Sequence, residues 1–327
     1  MVALMGKKIK KENLKKLFED ISKEYKVIAP VKRKDDYVLM EVKDFSQVAL
    51  DYPTTVLPPK KFLLPYKDTI FAFDGGEFKE TIPEEKIAFF GLHLCDVNAI
   101  GRLDLVFWND PYYRARRDKM LVVGISCKPS ESCFCKSTGA NVLTNACDLY
   151  LKAEGDSYVG FSMTEKGRKL LSQLYFGPET VEEREVRVEY EEKIPLDIYK
   201  IGKRILEDYN NPIWEETAKK CLACTNCTLV CPLCYCYDVI DETFVVPNEG
   251  QRVRCWDSCL LLSFARVAGG HNFRKDLKAR YRNVYTHKFK TFVDEFGVPS
   301  CVGCGRCVTF CPADIDLREN LSKLGGV

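Results

Sequence analysis

The sequence predicts a chain in two parts: an α/β domain over residues 1–195, followed by a mainly α-helical domain over residues 196–327. Three observations carry this expectation. The chain has 327 residues, whereas single hydrophobic cores stop growing at roughly 250–300 residues. Helical and strand periodicities alternate through the first half. The 17 cysteines are unevenly spread, with twelve of them crowded between Cys221 and Cys311.

Taken in order, Leu14, Leu17, Phe18, Ile21 and Tyr25 mark one face of a helix. Short apolar runs at 27–31, 37–42, 86–92 and 121–126 read as strands. The stretch Glu182–Lys193 is nearly all charged, with Pro195 beyond it, and reads as a solvated linker. A helical stretch over 197–219 follows. Further helices are expected over 258–268, capped by Asp257 and stopped near Gly269-Gly270, and over 284–296, stopped at Gly297.

With 46% hydrophobic and 29% charged residues, the chain can bury sizeable cores and is neither disordered nor fibrous. A net charge of +2 gives no global field to draw nucleic acid or an anionic membrane, so neither is an expected partner. The longest apolar stretch, 87–108, is interrupted by His93, Asp96, Asn98, Arg102 and Asp104, which argues against a membrane span. The short apolar run Val2 to Met5 precedes the first lysines, the reverse of a signal peptide, and a cytoplasmic location is expected. Thiols there are kept reduced, so this many cysteines point to metal or redox work.

Two segments repeat one pattern, C-x2-C-x2-C-x3-C-P: Cys221, Cys224, Cys227 and Cys231 before Pro232, and Cys301, Cys304, Cys307 and Cys311 before Pro312. Three thiolates at this spacing wrap one face of an iron–sulfur cube, and the fourth ligates the other cluster. The expected assignment is therefore Cys221, Cys224 and Cys227 with Cys311, and Cys301, Cys304 and Cys307 with Cys231. Zinc sites use two cysteine pairs or histidine partners rather than this run, and a disulfide framework gives no reason for the repeat. Two 4Fe-4S clusters in a ferredoxin-like domain are the reading. Helical patterns in the interval between the copies distinguish it from a compact β-rich ferredoxin.

Strand 86–92 ends near Cys95, and strand 121–126 ends at Cys127 with Cys133 and Cys135 just beyond. If the strands are parallel, both loops leave the carboxyl edge of one sheet, where α/β folds place ligands. Cys95, Cys127, Cys133 and Cys135 are thus a candidate third cluster site, against a reading as unligated or packed thiols. Cys234, Cys236 and Cys259 stay open between ligation and packing, while packing is favoured for Cys147 and Cys255. His93 reads as a structural histidine before a ligand. The basic residues Arg274, Lys275, Lys278, Arg280 and Arg282 read as a solvated face or as cations near an anionic cluster.

No G-x-G-x-x-G follows a strand and no phosphate-binding G-x-x-x-x-G-K-[ST] is present, so a self-contained nicotinamide, flavin or nucleotide enzyme is disfavoured. Clusters with complete cysteine ligation move single electrons, so a donor and an acceptor must lie elsewhere. Phrases such as Pro58-Pro-Lys-Lys-Phe62, Gly91-Leu-His-Leu-Cys-Asp96, Cys133-Phe-Cys135, Cys231-Pro-Leu-Cys-Tyr-Cys236, Trp256-Asp-Ser-Cys259 and Gly269-Gly-His-Asn-Phe-Arg274 resemble the β (iron–sulfur) subunits of archaeal cytoplasmic sulfhydrogenases. These are NAD(P)H-linked NiFe hydrogenases and sulfur reductases, whose β chains are related to one chain of anaerobic sulfite reductase.

The resemblance implies a non-catalytic electron-transfer subunit in a heterotetramer. It would relay electrons between a partner carrying FAD and NAD(P) and the NiFe hydrogenase subunits. It also implies that Cys95, Cys127, Cys133, Cys135, Cys234, Cys236 and Cys259 fall on cysteines of the family pattern, and that Cys147 and Cys255 do not. The alternative is the electron-input subunit of a sulfite reductase or another oxidoreductase. A scaffold whose clusters only hold the fold is the reading from a different class.

Overall fold

The computed structural model describes residues 3–245 and 248–325, so the Val2 end of the N-terminal apolar run lies outside the described residues. Among the described residues, twelve strands form two sheets. In chain order they are β1 (Leu4–Lys10), β2 (Lys26–Arg33), β3 (Asp36–Glu41), β4 (Lys67–Asp74), β5 (Glu77–Glu80), β6 (Ile87–Leu92), β7 (Leu121–Ile125), β8 (Leu149–Glu154), β9 (Ser157–Ser162), β10 (Thr180–Glu183), β11 (Tyr237–Thr243) and β12 (Glu249–Trp256). The large sheet has the order β10-β1-β9-β8-β7-β6-β2-β3, with β2, β6, β7 and β8 parallel at its centre.

Those central strands are apolar in both registers because both faces are covered. On one face Ile28, Phe89 and Val122 pack with Leu94, Val97, Ile100 and Leu103 of the helix Leu94–Phe107. On the other, Val27, Phe90 and Val123 pack with Leu14, Leu17, Phe18 and Ile21 of the helix Leu14–Ser22. All four apolar runs expected as strands are strands. The parallel arrangement places the turns after β6 and β7 at one edge, and Cys95 and Cys127 with them.

Past residue 195, the expected stretch 197–219 is two helices, Ile198–Glu207 and Pro212–Lys220. Asn211 and Pro212 divide them: Pro212 takes the first helical position, and the Asn211 side chain caps by accepting from the Ile213 N–H at 2.9 Å. The helix Leu277–Thr286 continues through a five-residue π-helical turn, His287–Thr291, into Phe292–Phe296. It ends where expected, at Gly297 with φ 73°. These helices enclose a core around Trp214, Tyr285 and Phe289.

Three expectations are corrected. Residues 258–268 are a series of turns, because the Asp257 and Ser258 side chains accept from the N–H groups of Ser258 (2.6 Å) and Leu260 (3.2 Å), which diverts the backbone from helical bonding. The interval between the cysteine segments is therefore not wholly helical. It contains the hairpin β11–β12, which pairs through β12 with β4, giving a second sheet ordered β11-β12-β4-β5 that crosses the expected boundary at 195. Nor is Glu182–Lys193 a solvated linker. Val186 and Val188 are buried against residues 141–143, so the alternation of apolar and charged residues marks an extended segment with one face inward.

Candidate iron–sulfur centres

The two cysteine segments fold alike. In each, the residues on either side of the second cysteine turn left-handed: Ala223 (φ 52°) and Thr225 (φ 64°) in the first copy, Gly303 (φ 62°) and Gly305 (φ 75°) in the second. A one-turn helix follows each, Asn226–Leu229 and Arg306–Thr309. This conformation is costly for residues with a Cβ. Its recurrence in two copies shows a backbone bent to turn three thiols inward.

All eight motif cysteines line a single cleft, with Lys288 and otherwise largely apolar side chains including Tyr281, Tyr285, Leu260 and Pro232. Among the described residues no carboxylate or imidazole lines it. Each fourth cysteine lies near thiols of the other segment, and Cys231 lies near Cys227 as well. Cys311 acts electrostatically on Cys221 and Cys227, and the Asn226 amide donates to the carbonyl of Phe310 beside it. Cys231 acts on Cys301, Cys304 and Cys307. Among the described residues no three His, Cys, Asp or Glu side chains are arranged to chelate a single ion. An all-thiol cleft without a single-ion geometry fits a multi-atom inorganic group whose ligands are thiolates.

Burial, the leading cause in each case, pushes the thiols of Cys227 and Cys304 up to about 12. The free thiols of Cys227 and Cys304 are therefore protonated at neutral pH, and loading iron must release those protons.

A second, smaller cavity brings Cys95, Cys127, Cys133 and Cys135 together, beside His93, Asn141, Gly303 and Cys304. Burial pushes Cys127 and Cys135 up to about 12. The Cys135 thiol donates to the Tyr190 hydroxyl at 3.3 Å, a contact supplied by the segment expected to be a linker. Cys304 lines both cavities. The loops touch closely: Phe134 N–H donates to the Gly303 carbonyl at 2.8 Å, and a Cβ on Gly303 would lie 2.4 Å from the Phe134 backbone. A Cβ on Gly305 would meet Ser132 at 2.7 Å.

Charges around these sites come from both halves. Arg306, in the second motif, forms a fully buried two-pronged pair with Asp96 at 2.7 Å and donates to the Thr55 carbonyl at 2.7 Å. Arg102 donates to the carbonyls of Cys301 (2.5 Å) and Pro299 (2.8 Å). Lys60 donates to the Cys234 carbonyl at 2.7 Å and lies over Trp256. Lys288 donates to Cys231 Sγ at 3.1 Å and to the Ser300 carbonyl at 3.0 Å. Neither Lys60 nor Lys288 stands out in the sequence, where each has another lysine close by and only its surroundings in the fold distinguish it.

The other cysteines divide. Cys234 pairs with Cys231, and Cys236 with Cys259, as hydrogen-bonded thiol neighbours, the Cys259 contact drawing Cys236 down to about 7. Cys147 is fully buried and bonds to the Leu149 carbonyl at 3.1 Å, a packed thiol as expected. Cys255 sits partly exposed on β12, outside both cavities. His93 is buried in a stack on Tyr52, ring centroids 3.9 Å apart, and burial holds it down to about 4, a neutral structural ring at the edge of the smaller cavity. Of the basic run, Arg282 is buried against Tyr209 and Arg280 donates to the Leu260 carbonyl at 2.5 Å, so it is not simply a solvated face. No helix among the described residues is long and apolar enough to cross a membrane.

Comparison with known proteins agrees with this geometry. The 4Fe-4S dicluster domain family matches residues 220–315. The chain is 37% identical over 328 residues, covering 97% of each chain, to sulfhydrogenase 2 subunit beta of Pyrococcus furiosus. No solved structure matches.

Proposed function

The chain belongs to the sulfhydrogenase β-subunit family and is an electron-transfer, iron–sulfur subunit of a hydrogenase and sulfur reductase complex, and on that premise we propose how it holds its centres and which partners it serves. Cys221, Cys224, Cys227 and Cys311 hold one 4Fe-4S cluster. Cys301, Cys304, Cys307 and Cys231 hold a second. Cys95, Cys127, Cys133 and Cys135 hold a third, a reading supported by their convergence on one cavity that shares Cys304 with the main cleft. That convergence is the observation that carries the proposal, because Cys95 follows one strand while Cys127, Cys133 and Cys135 lie in the loop after another.

When bound, such clusters accept and give single electrons without transforming a substrate. The chain's own residues hold the sites near one another, exclude water with Phe134, Leu260, Tyr281 and Tyr285, and, among the described residues, place no carboxylate or imidazole in the main cleft. The subunit thus relays electrons between a flavin- and NAD(P)-binding partner and NiFe hydrogenase subunits in a heterotetramer.

Iron counting on the anaerobically reconstituted full chain tests the third site. About twelve irons per chain are expected, falling to about eight in Cys127→Ser. About eight in both would remove the third cluster from the proposal. In the native complex, Cys304→Ser should interrupt NAD(P)H-linked turnover and leave dye-linked hydrogen oxidation largely intact. Equal loss of both activities would make the clusters scaffolding. Co-purification of a siroheme protein without a nickel protein would favour a sulfite reductase partner.

A further inference from the structure

Lys288 is a buried cation whose surroundings do not account for its charge by the usual means. The residue is 6% exposed, and no carboxylate lies within ion-pair distance of it among the described residues. An isolated buried ammonium is expensive and is normally paired. Its two partners are the Ser300 carbonyl at 3.0 Å and Cys231 Sγ at 3.1 Å. Among the described residues the counter-charge within hydrogen-bond reach is therefore a thiolate, that of Cys231, the residue proposed above to cross from the first motif to the second.

The backbone is shaped to deliver this group. Lys288 lies in the π-helical turn His287–Thr291, a rare conformation frequent at functional sites. The turn buries Lys288 and Phe289, whereas Lys290 stays outside and pairs with Asp294. The contact is locked from both directions, since Ser300 N–H donates back to the Lys288 carbonyl at 2.8 Å and Ser300 immediately precedes Cys301.

Among the described residues no cation donates a hydrogen bond to a thiol at the other two sites. Beside the smaller cavity, Arg306 is neutralised by Asp96, Lys128 is exposed and paired with Asp51, and Tyr190 and Glu192 stand beside Cys135. At the Cys221 site Lys288 acts on Cys227 only through space, without a hydrogen bond to its thiol, and Arg280 acts weakly on Cys221 from a partly exposed position. A hydrogen bond to a ligand sulfur and a nearby positive charge both favour the reduced, more negative form of a cluster and raise its potential.

We propose that Lys288 is a positioning residue that raises the reduction potential of the centre held by Cys301, Cys304, Cys307 and Cys231 above those of its two neighbours, so that an electron in transit rests there. This rests on the crossed ligation proposed above, and the experiment separates the two.

The full chain, reconstituted anaerobically, is titrated by EPR as wild type, Lys288→Gln, Lys288→Arg and Cys231→Ser. In Lys288→Gln one centre should become at least tenfold harder to reduce at a fixed potential, about 59 mV for one electron, with iron content unchanged. Lys288→Arg should restore most of that shift. The affected centre should be the highest-potential one in the wild type and the one whose spectrum changes in Cys231→Ser. A Cys231→Ser change with no shift in Lys288→Gln would overturn the lysine's role and leave the ligation standing. No spectral change in Cys231→Ser would overturn both.

Should Lys288→Gln lose iron, the wild-type chain labelled with 15N at lysine Nζ decides the matter by pulsed EPR. A 15N coupling to the highest-potential reduced centre supports the role, and its absence rejects it.

Discussion

Arg306 shows how a single side chain fastens the second cysteine motif to the α/β half. Its guanidinium and the Asp96 carboxylate are each about 1% exposed, and the arginine's remaining donors are taken by Thr55. Removing one member of such a pair leaves an uncompensated buried charge, at a cost of roughly 3–5 kcal/mol. Arg306→Ala should therefore lower the stability of the reconstituted chain by about that much in denaturant titrations. A loss below about 1 kcal/mol would mean that Asp96 finds another partner.

The thiols make a second residue-scale prediction, for the iron-free chain. Cys127, Cys135, Cys227 and Cys304 are held near 12 by burial, against an ordinary value of 9.0. A raised value in the folded state favours the neutral thiol there. The stabilisation is complete below pH 9 and is lost as pH climbs from 9 towards 12, because only the unfolded chain gains by ionising. Thermal unfolding of the iron-free chain should show a midpoint that falls through that range. The iron-loaded chain, its thiols already deprotonated, should show less of this fall, and identical profiles for the two would contradict the assignment.

At the scale of elements, the two cysteine segments share a backbone but not its tolerances. Ala223 and Thr225 hold left-handed φ values in the first copy, while Gly303 and Gly305 hold the same conformation against the loop 132–135. Ala223→Gly should be neutral or stabilising by up to about 1 kcal/mol. Gly303→Ala forces a Cβ to 2.4 Å from the Phe134 backbone and should disturb both the second and third sites, seen as loss of iron. Equal effects of the two substitutions would show that the loops are not packed as described.

Elements also mark what could be read from sequence alone. Thiol spacing is local, so the gathering of the eight motif cysteines was legible, as were strands whose apolar runs are buried on both faces. Residues 258–268 misled because Asp257 looks like a helix cap in sequence, whereas its carboxylate and the Ser258 hydroxyl act within a turn. In Glu182–Lys193 the density of charge hid the alternating Val186, Val188 and Tyr190. Lys288 was invisible because its meaning depends on a π-helical turn and on Cys231, 57 positions away.

For the whole molecule, the four-stranded sheet is the feature that joins the halves, since β4 and β5 come from one side of residue 195 and β11 and β12 from the other. It has a consequence for biosynthesis. Thr69 leaves the ribosome long before Val253, its partner across β4 and β12, and until then β4 keeps an unpaired edge. The cysteines of the smaller cavity are made early, but Gly303 and Cys304, which close it, are made almost last. The newborn chain therefore passes most of its synthesis with that cavity uncovered, and the cavity closes only when the C-terminal segment has folded back over it.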